Sequence, residues 1–291
     1  MFRMNTIVLA LDGSEAAQRA IPFARGLAQE SKSRIVIAHV DERMGTRGQT
    51  PIDAEEERIR AEIQTLGKEL AADGIEASIE MGGMVSRGGE IAHAIADIAE
   101  KSKADLIVTG TRGHSEIAGL FVGSVTQRLL HIAKQPVLAV PGASELTGGK
   151  ALFETIVLAL DGSEGSKRAI PVARELARLG GARIVIAHVE ERTIGKGGGP
   201  IHPDEEEIRA EIDKVAEELS NEGIETKVRA ADVMVGGPGH VIASIADESG
   251  ADLIVTGTRG HTAVSGLLLG GVTLRLLHIA HQPVLAVPKP R

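Results

Sequence analysis

One glycine-punctuated stretch occurs twice in this chain. At 106–141 it reads "LIVTGTRGHSEIAGLFVGSVTQRLLHIAKQPVLAVP", and at 253–288 "LIVTGTRGHTAVSGLLLGGVTLRLLHIAHQPVLAVP". In the first copy an apolar run ends in Gly110-Thr111-Arg112-Gly113. After nine intervening residues come Gly123, Ser124 and a helical pattern. Glycines at a strand end let the backbone turn sharply and approach a ligand closely. A helix N-terminus offers unpaired N–H groups and the positive end of the helix dipole. Together these residues can cradle an anion, a phosphate above all, on main-chain amides. The Ser124 hydroxyl adds a donor and Val125 a further amide. Each feature alone has a plainer reading, because strand-end glycines serve tight turns and serine is a common helix N-cap.

A second group of residues faces different chemistry. Asp12 ends the first apolar run, "TIVLAL". A carboxylate there can accept hydrogen bonds from ribose hydroxyls, as the acidic residue of dinucleotide folds does from a different strand. Asp12-Gly13 is also ordinary turn chemistry. Val40, at the end of the second apolar run, is placed to border a base.

These residues need elements to hold them, and the elements come in duplicate. "IVLALDGSE" starts at Ile7 and Ile156, "RIVIAHV" at Arg34 and Arg183, "ADLIVTGTRGH" at Ala104 and Ala251, and "QPVLAVP" at Gln135 and Gln282. The offset is 149 for the first two and 147 for the last two, so each copy is a whole domain and not a solenoid repeat. We place domains at 1–141 and 152–291, joined by a polar, glycine-bearing linker at 142–151.

Within the first copy, continuous apolar runs at 6–11, 34–40, 105–109 and 136–140 suit strands buried on both faces, with a weaker strand at 75–80. Helical patterns fall at 15–30, 53–73, 90–102 and 124–133, the first opened by Ser14 as N-cap. Alternation of this kind predicts an α/β fold: two doubly wound domains, each a five-stranded parallel sheet of order 3-2-1-4-5 with helices on both faces. Ligands in such sheets sit beyond the carboxyl ends of the strands where the order reverses. In this order the reversal lies between strands one and four, whose loops begin at Asp12 and Gly110. Those are the two loops that both copies share almost unchanged.

Composition narrows the field. The chain has 291 residues, 43% hydrophobic and 25% charged, and no cysteine, which excludes disulfides and thiolate chemistry. The apolar run near the N-terminus is too short for a signal or a span, and no segment reaches 18 apolar residues, so a cytoplasmic protein is expected. Net charge is −8, and each half carries 16 Lys and Arg against 20 Asp and Glu, so neither half has the basic balance of a nucleic-acid binder. With four Phe and no Tyr or Trp, a base must lie between aliphatic side chains instead of stacking on rings.

Other motifs are absent or weak. There is no Walker-type loop, no G-x-G-x-x-G at the first helix of either half and no G-x-S-x-G elbow. His39 and His188, beside the last residue of strand two, read as structural, with a place at the ligand as the alternative. His114 and His261 stand near Arg112 and Arg259, where all four are candidate phosphate contacts or plain loop residues. His131 and His278 read as packing residues. The segments 41–52 and 190–201 are surface connectors or lids. The acidic runs 55–57 and 205–207 suit a helix first turn.

G-x-x-G, nine residues, then G-[ST] resembles the nucleotide-binding signature of the universal stress protein family. The opening "ALDGSE" and the strand-two "AHV" are similar to that family too, and the likeness spans both halves, as in a tandem-domain member. The resemblance implies ATP as ligand. It assigns the adenosine to Asp12 and Val40, and the phosphates to Gly110, Gly113, Gly123 and Ser124, with Val125 adjoining. Matching positions in the second half are Asp161, Val189, Gly257, Gly260, Gly270, Gly271 and Val272. Gly271 stands where the signature has Ser or Thr, so the second site is expected to be the weaker. The resemblance also implies packing of the two domains as an intramolecular pseudo-dimer through their last strands. A further homodimer is left open.

The expected function is therefore an ATP-binding stress-response regulator whose occupancy alters contacts with a protein partner that the sequence does not identify. Magnesium would arrive with the triphosphate and not on a site of the protein's own. No general base is aimed at a γ-phosphate, so turnover should be slow if it occurs. Two alternatives stand: a slow ATP- or AMP-using hydrolase or transferase, and an interaction module that binds no nucleotide.

Overall fold

The computed structural model describes residues 2–41, 54–83, 91–111, 122–142, 152–190, 203–233, 235–258 and 269–289. The chain divides into two compact units, Arg3–Leu152 and Phe153–Pro290. The first contains, in order, β1 (Thr6–Ala10), α1 (Glu15–Gln18), α2 (Ile21–Ser31), β2 (Arg34–Asp41), α3 (Ala54–Ala72), β3 (Ala77–Gly83), α4 (Ile91–Lys101), β4 (Leu106–Gly110), α5 (Ser124–Ile132) and β5 (Val137–Val140). The second repeats the series as β6 (Thr155–Ala159), α6 (Glu164–Lys167), α7 (Ala169–Gly180), β7 (Arg183–Glu190), α8 (Pro203–Asn221), β8 (Thr226–Asp232), α9 (Pro238–Glu248), β9 (Leu253–Gly257), α10 (Gly271–Ile279) and β10 (Val284–Val287).

Strand order is β3-β2-β1-β4-β5 in the first unit and β8-β7-β6-β9-β10 in the second. Neighbouring strands within each unit run parallel. β1 lies at the centre, with Leu9 opposite Ile37 of β2 on one side and Val108 of β4 on the other. Ile7, Val8 and Leu9 are wholly buried, because both faces of the sheet are covered. β3 shows the two faces directly. A Cβ on Gly67 of α3 would touch Ile79, whereas one on Gly82 would touch Ala94 and Ile98 of α4. On the α3 face, Arg25 of α2 reaches Glu69 at 3.2 Å and Asp73 at 3.3 Å.

The core is aliphatic. Ile, Val, Leu and Ala fill it, with Phe23 and Phe153 as buried aromatics. Among the described residues no helix is long and apolar enough to cross a membrane.

One helix differs from its sequence pattern. The periodicity at 15–30 reads as one helix, yet the chain forms α1 and α2 with a break at Arg19 and Ala20. Pro22 explains it. Its ring has no N–H for the Gln18 carbonyl and occupies the space of that bond. α1 therefore ends at Gln18 and α2 restarts with Pro22 in its first turn. Pro171 acts on Lys167 in the same way, where α6 ends. The short α1 matters because it borders the site.

Candidate functional site

Beyond Ala10 the chain leaves β1 through Leu11, Asp12 and Gly13. Asp12 Oδ1 accepts from the Ser14 amide at 2.9 Å, and Ser14 Oγ accepts from the Ala17 amide at 3.1 Å as the N-cap of α1. Gly13 sits at φ +80° against Ile59 of α3, a conformation open to glycine at little cost. Asp12 is half-buried, with one oxygen engaged by its own turn. Ser163 gives Asp161 Oδ1 both an amide at 2.9 Å and a hydroxyl at 2.6 Å.

β4 ends against that same turn. A Cβ on Gly110 would stand 2.6 Å from the Ala16 carbonyl oxygen of α1, and one on Gly257 would fall on the Gly165 carbonyl. The end of strand four therefore touches the short helix that follows strand one in both units. This contact also gives Gly110 and Gly257 a reason that the motif did not suggest: the missing side chain admits the backbone of the short helix.

α5 is then pinned to the end of β4. Thr111 donates its amide to Val140 at 2.8 Å, and the Gly123 amide donates to Thr111 at 2.6 Å. Thr126, 2% exposed, donates its hydroxyl to the Gly110 carbonyl at 2.7 Å. Thr258, Gly270 and Thr273 repeat these contacts at 2.9, 2.7 and 2.7 Å. Gly123, not Ser124, is the N-cap of α5, and no side chain caps the helix. Ser124 is the first helical residue and exposed, and Val125 is half-buried. Since the Gly123 amide is engaged by Thr111, the donors directed outward start at Ser124 and Val125. α10 likewise starts uncapped, with Gly270 before it and Gly271 and Val272 in its first turn. An uncapped first turn keeps its amides and partial positive charge for an anion.

Val40, 8% exposed, ends the β2 side of the crevice, and Val189 is its half-buried counterpart. The preceding histidines are not isolated. His39 Nδ1 lies 2.9 Å from the Leu11 carbonyl, and its Nε2 lies 3.1 Å from Glu56 Oε2 in the first turn of α3. Arg60 Nε donates to Glu56 Oε1 at 2.6 Å, and the guanidinium reaches Asp41 Oδ2 at 3.4 Å. In the second unit His188 bridges the Leu160 carbonyl at 2.9 Å and Glu205 at 2.6 Å, and Arg209 pairs with Glu190. The Glu190 carboxylate, hydrogen-bonding to Arg209, raises the guanidinium above its ordinary range. The acidic run is more than a helix-dipole feature, because Glu56 is only 8% exposed and belongs to this network. Its partner in the second unit is Glu205, one place earlier in that run than simple alignment of the two runs gives. Thr126 and Thr273 were not singled out either, although both copies carry a threonine at that position.

His131 and His278 bond back to Gln127 and Leu274 on their own helices, as packing residues do. Arg112, Gly113, His114, Arg259, Gly260 and His261 lie outside the described residues, as do nearly all of the two connectors after β2 and β7. Among the described residues there is no cluster of three or more His, Asp or Glu side chains fit to hold a metal.

A parallel sheet whose reversal point carries a carboxylate turn on one side and an uncapped helix on the other defines a doubly wound α/β type of domain, present here twice. The family model for the universal stress protein family matches residues 4–141 and again 152–288. The chain belongs to that family, with two domains in tandem. A universal stress protein of Mycolicibacterium smegmatis is 28% identical and aligns over 98% of this chain and 97% of its own. One from Thermus aquaticus is 37% identical across 47% of this chain and 99% of its own length. The crystal structure of a universal stress protein from Archaeoglobus fulgidus covers 99% of both chains with a TM-score of 0.76 at 22% identity, a likeness of fold.

Proposed function

We propose that each unit binds an adenine nucleotide, ATP first, in the crevice beyond β1 and β4 (β6 and β9 in the second), and that the chain works as a nucleotide-dependent regulator in stress response. One observation carries this reading. The uncapped first turn of α5 is fastened to the end of β4, and β4 ends in contact with α1, the short helix that opens directly after the Asp12 turn. Phosphates would rest on the amides of Ser124 and Val125 and on the Ser124 hydroxyl, with Gly110, Gly113 and Gly123 shaping the approach. Adenosine would lie toward Asp12 and Val40. In the second unit Gly257, Gly260, Gly270, Gly271 and Val272 take the phosphate side, and Asp161 and Val189 the other. Any magnesium would be held by the triphosphate itself.

The arrangement supports binding more than turnover. Asp12 is tied into its own turn, and the buried histidines are already engaged. Isothermal titration with ATP, ADP and AMP tests the reading, with phosphate release followed alongside. Saturable binding and background phosphate release are expected. Silence with all three nucleotides would leave an interaction module, and steady release lost in Asp12→Asn would make the protein a hydrolase.

A further inference from the structure

We infer that His39 and His188 are positioning residues of these pockets, each setting the turn that carries the adenosine-side carboxylate. The inference rests on the nucleotide reading above and deepens it. Leu11 and Leu160 immediately precede Asp12 and Asp161. The imidazole Nδ1 of each histidine lies 2.9 Å from that leucine's carbonyl oxygen. The residue after each histidine is Val40 or Val189, the proposed wall for the base. One ring thus holds both adenosine-side contacts in a fixed relation.

Its other nitrogen anchors the ring to a long helix. Nε2 meets Glu56 of α3 at 3.1 Å, or Glu205 of α8 at 2.6 Å. Both nitrogens therefore face oxygen atoms. The groups around it are Glu56, Arg60 and Asp41 in the first unit, and Glu205, Arg209 and Glu190 in the second. His39 and His188 are 3% and 2% exposed, so water does not compete for these bonds. The tether to the leucine carbonyl and the anchor to the glutamate are separable, because they use different nitrogens.

Two amide variants separate them. Asn places a side-chain N–H near the former Nδ1 and keeps the leucine tether. Gln places one near the former Nε2 and keeps the glutamate anchor. Titration of the wild-type chain with ATP comes first, followed by the full chain carrying His39→Gln with His188→Gln, and then His39→Asn with His188→Asn. The Gln pair should bind ATP about tenfold more weakly, the effect of one lost hydrogen bond. The Asn pair should recover most of that loss. Melting temperatures report the structural cost separately. In wild-type chain labelled with ¹⁵N, the ring signals of His39 and His188 should shift on adding ATP, a result that needs no variant to fold. Equal affinity in the Gln pair, equal loss in both pairs, or ring signals unmoved at saturation would overturn the inference while leaving the pocket intact. Absence of ATP binding by the wild type would overturn the pocket and this inference with it.

Discussion

Gly271 is where the two proposed pockets depart from one another in the described residues of the signature, and the difference can be reversed. In the first unit the residue after the N-cap of α5 is Ser124; in the second, after the N-cap of α10, it is Gly271. Ser124 is exposed and does not cap its helix, so its hydroxyl is available to a phosphate. A hydrogen bond to a charged group contributes about 1.5–3 kcal/mol, and each 1.4 kcal/mol is about tenfold in affinity. Exposure favours the low end, because water competes for the hydroxyl in the free protein. The first pocket should therefore bind ATP about tenfold more tightly than the second. Gly271→Ser should remove most of that gap. Among the described residues a Cβ at Gly271 meets nothing within 4 Å, so they set no steric cost on the substitution. Helix propensity changes by only about 0.5 kcal/mol between Gly and Ser, which keeps stability from confounding the affinity. Two-site calorimetry should show two classes of site in the wild type and one in Gly271→Ser. Ser124→Gly should equalise the sites in the opposite direction. Equal sites in the wild type, or an unchanged second site in Gly271→Ser, would refute the reasoning.

Two further outcomes follow from the packing beneath the site. Gly110→Ala forces a Cβ to within 2.6 Å of the Ala16 carbonyl oxygen, and neither backbone can yield cheaply. It should cost about 2 kcal/mol or more of stability, read as a lower urea midpoint, while Gly142→Ala, with nothing within 4 Å among the described residues, leaves the midpoint in place. Thr126→Val removes the 2.7 Å hydroxyl bond to the Gly110 carbonyl in a buried setting and should cost about 1–3 kcal/mol. The Val variant should also weaken ATP binding in the first pocket, because it loosens α5 from β4.

Much of this was legible in the residues. The apolar runs that became β1, β2, β4 and β5 are buried on both faces, so their lack of alternation was itself the signal. The order 3-2-1-4-5 was an expectation for a doubly wound sheet, which the structure bears out, and the reversal point follows from that order. Ser14 capped α1 as its type suggested. The failures have local causes. Periodicity across 15–30 concealed the break at Pro22, because apolar spacing continues through it while one backbone bond does not. The motif marked Gly110 for ligand approach, but the closeness of α1 appears only when two distant turns meet. His39 and Glu56 are 17 positions apart and joined by no repeat of helix or strand. Such pairs carry no periodic signature, although the matching histidine and glutamate in the other half were a usable hint.

Equilibrium dialysis of the full chain against labelled ATP tests the central proposal most directly. Binding should saturate at about two nucleotides per chain, with the tighter class lost in Ser124→Gly. Failure of the chain to retain ATP at any concentration up to the millimolar range, with the fold intact, would contradict it.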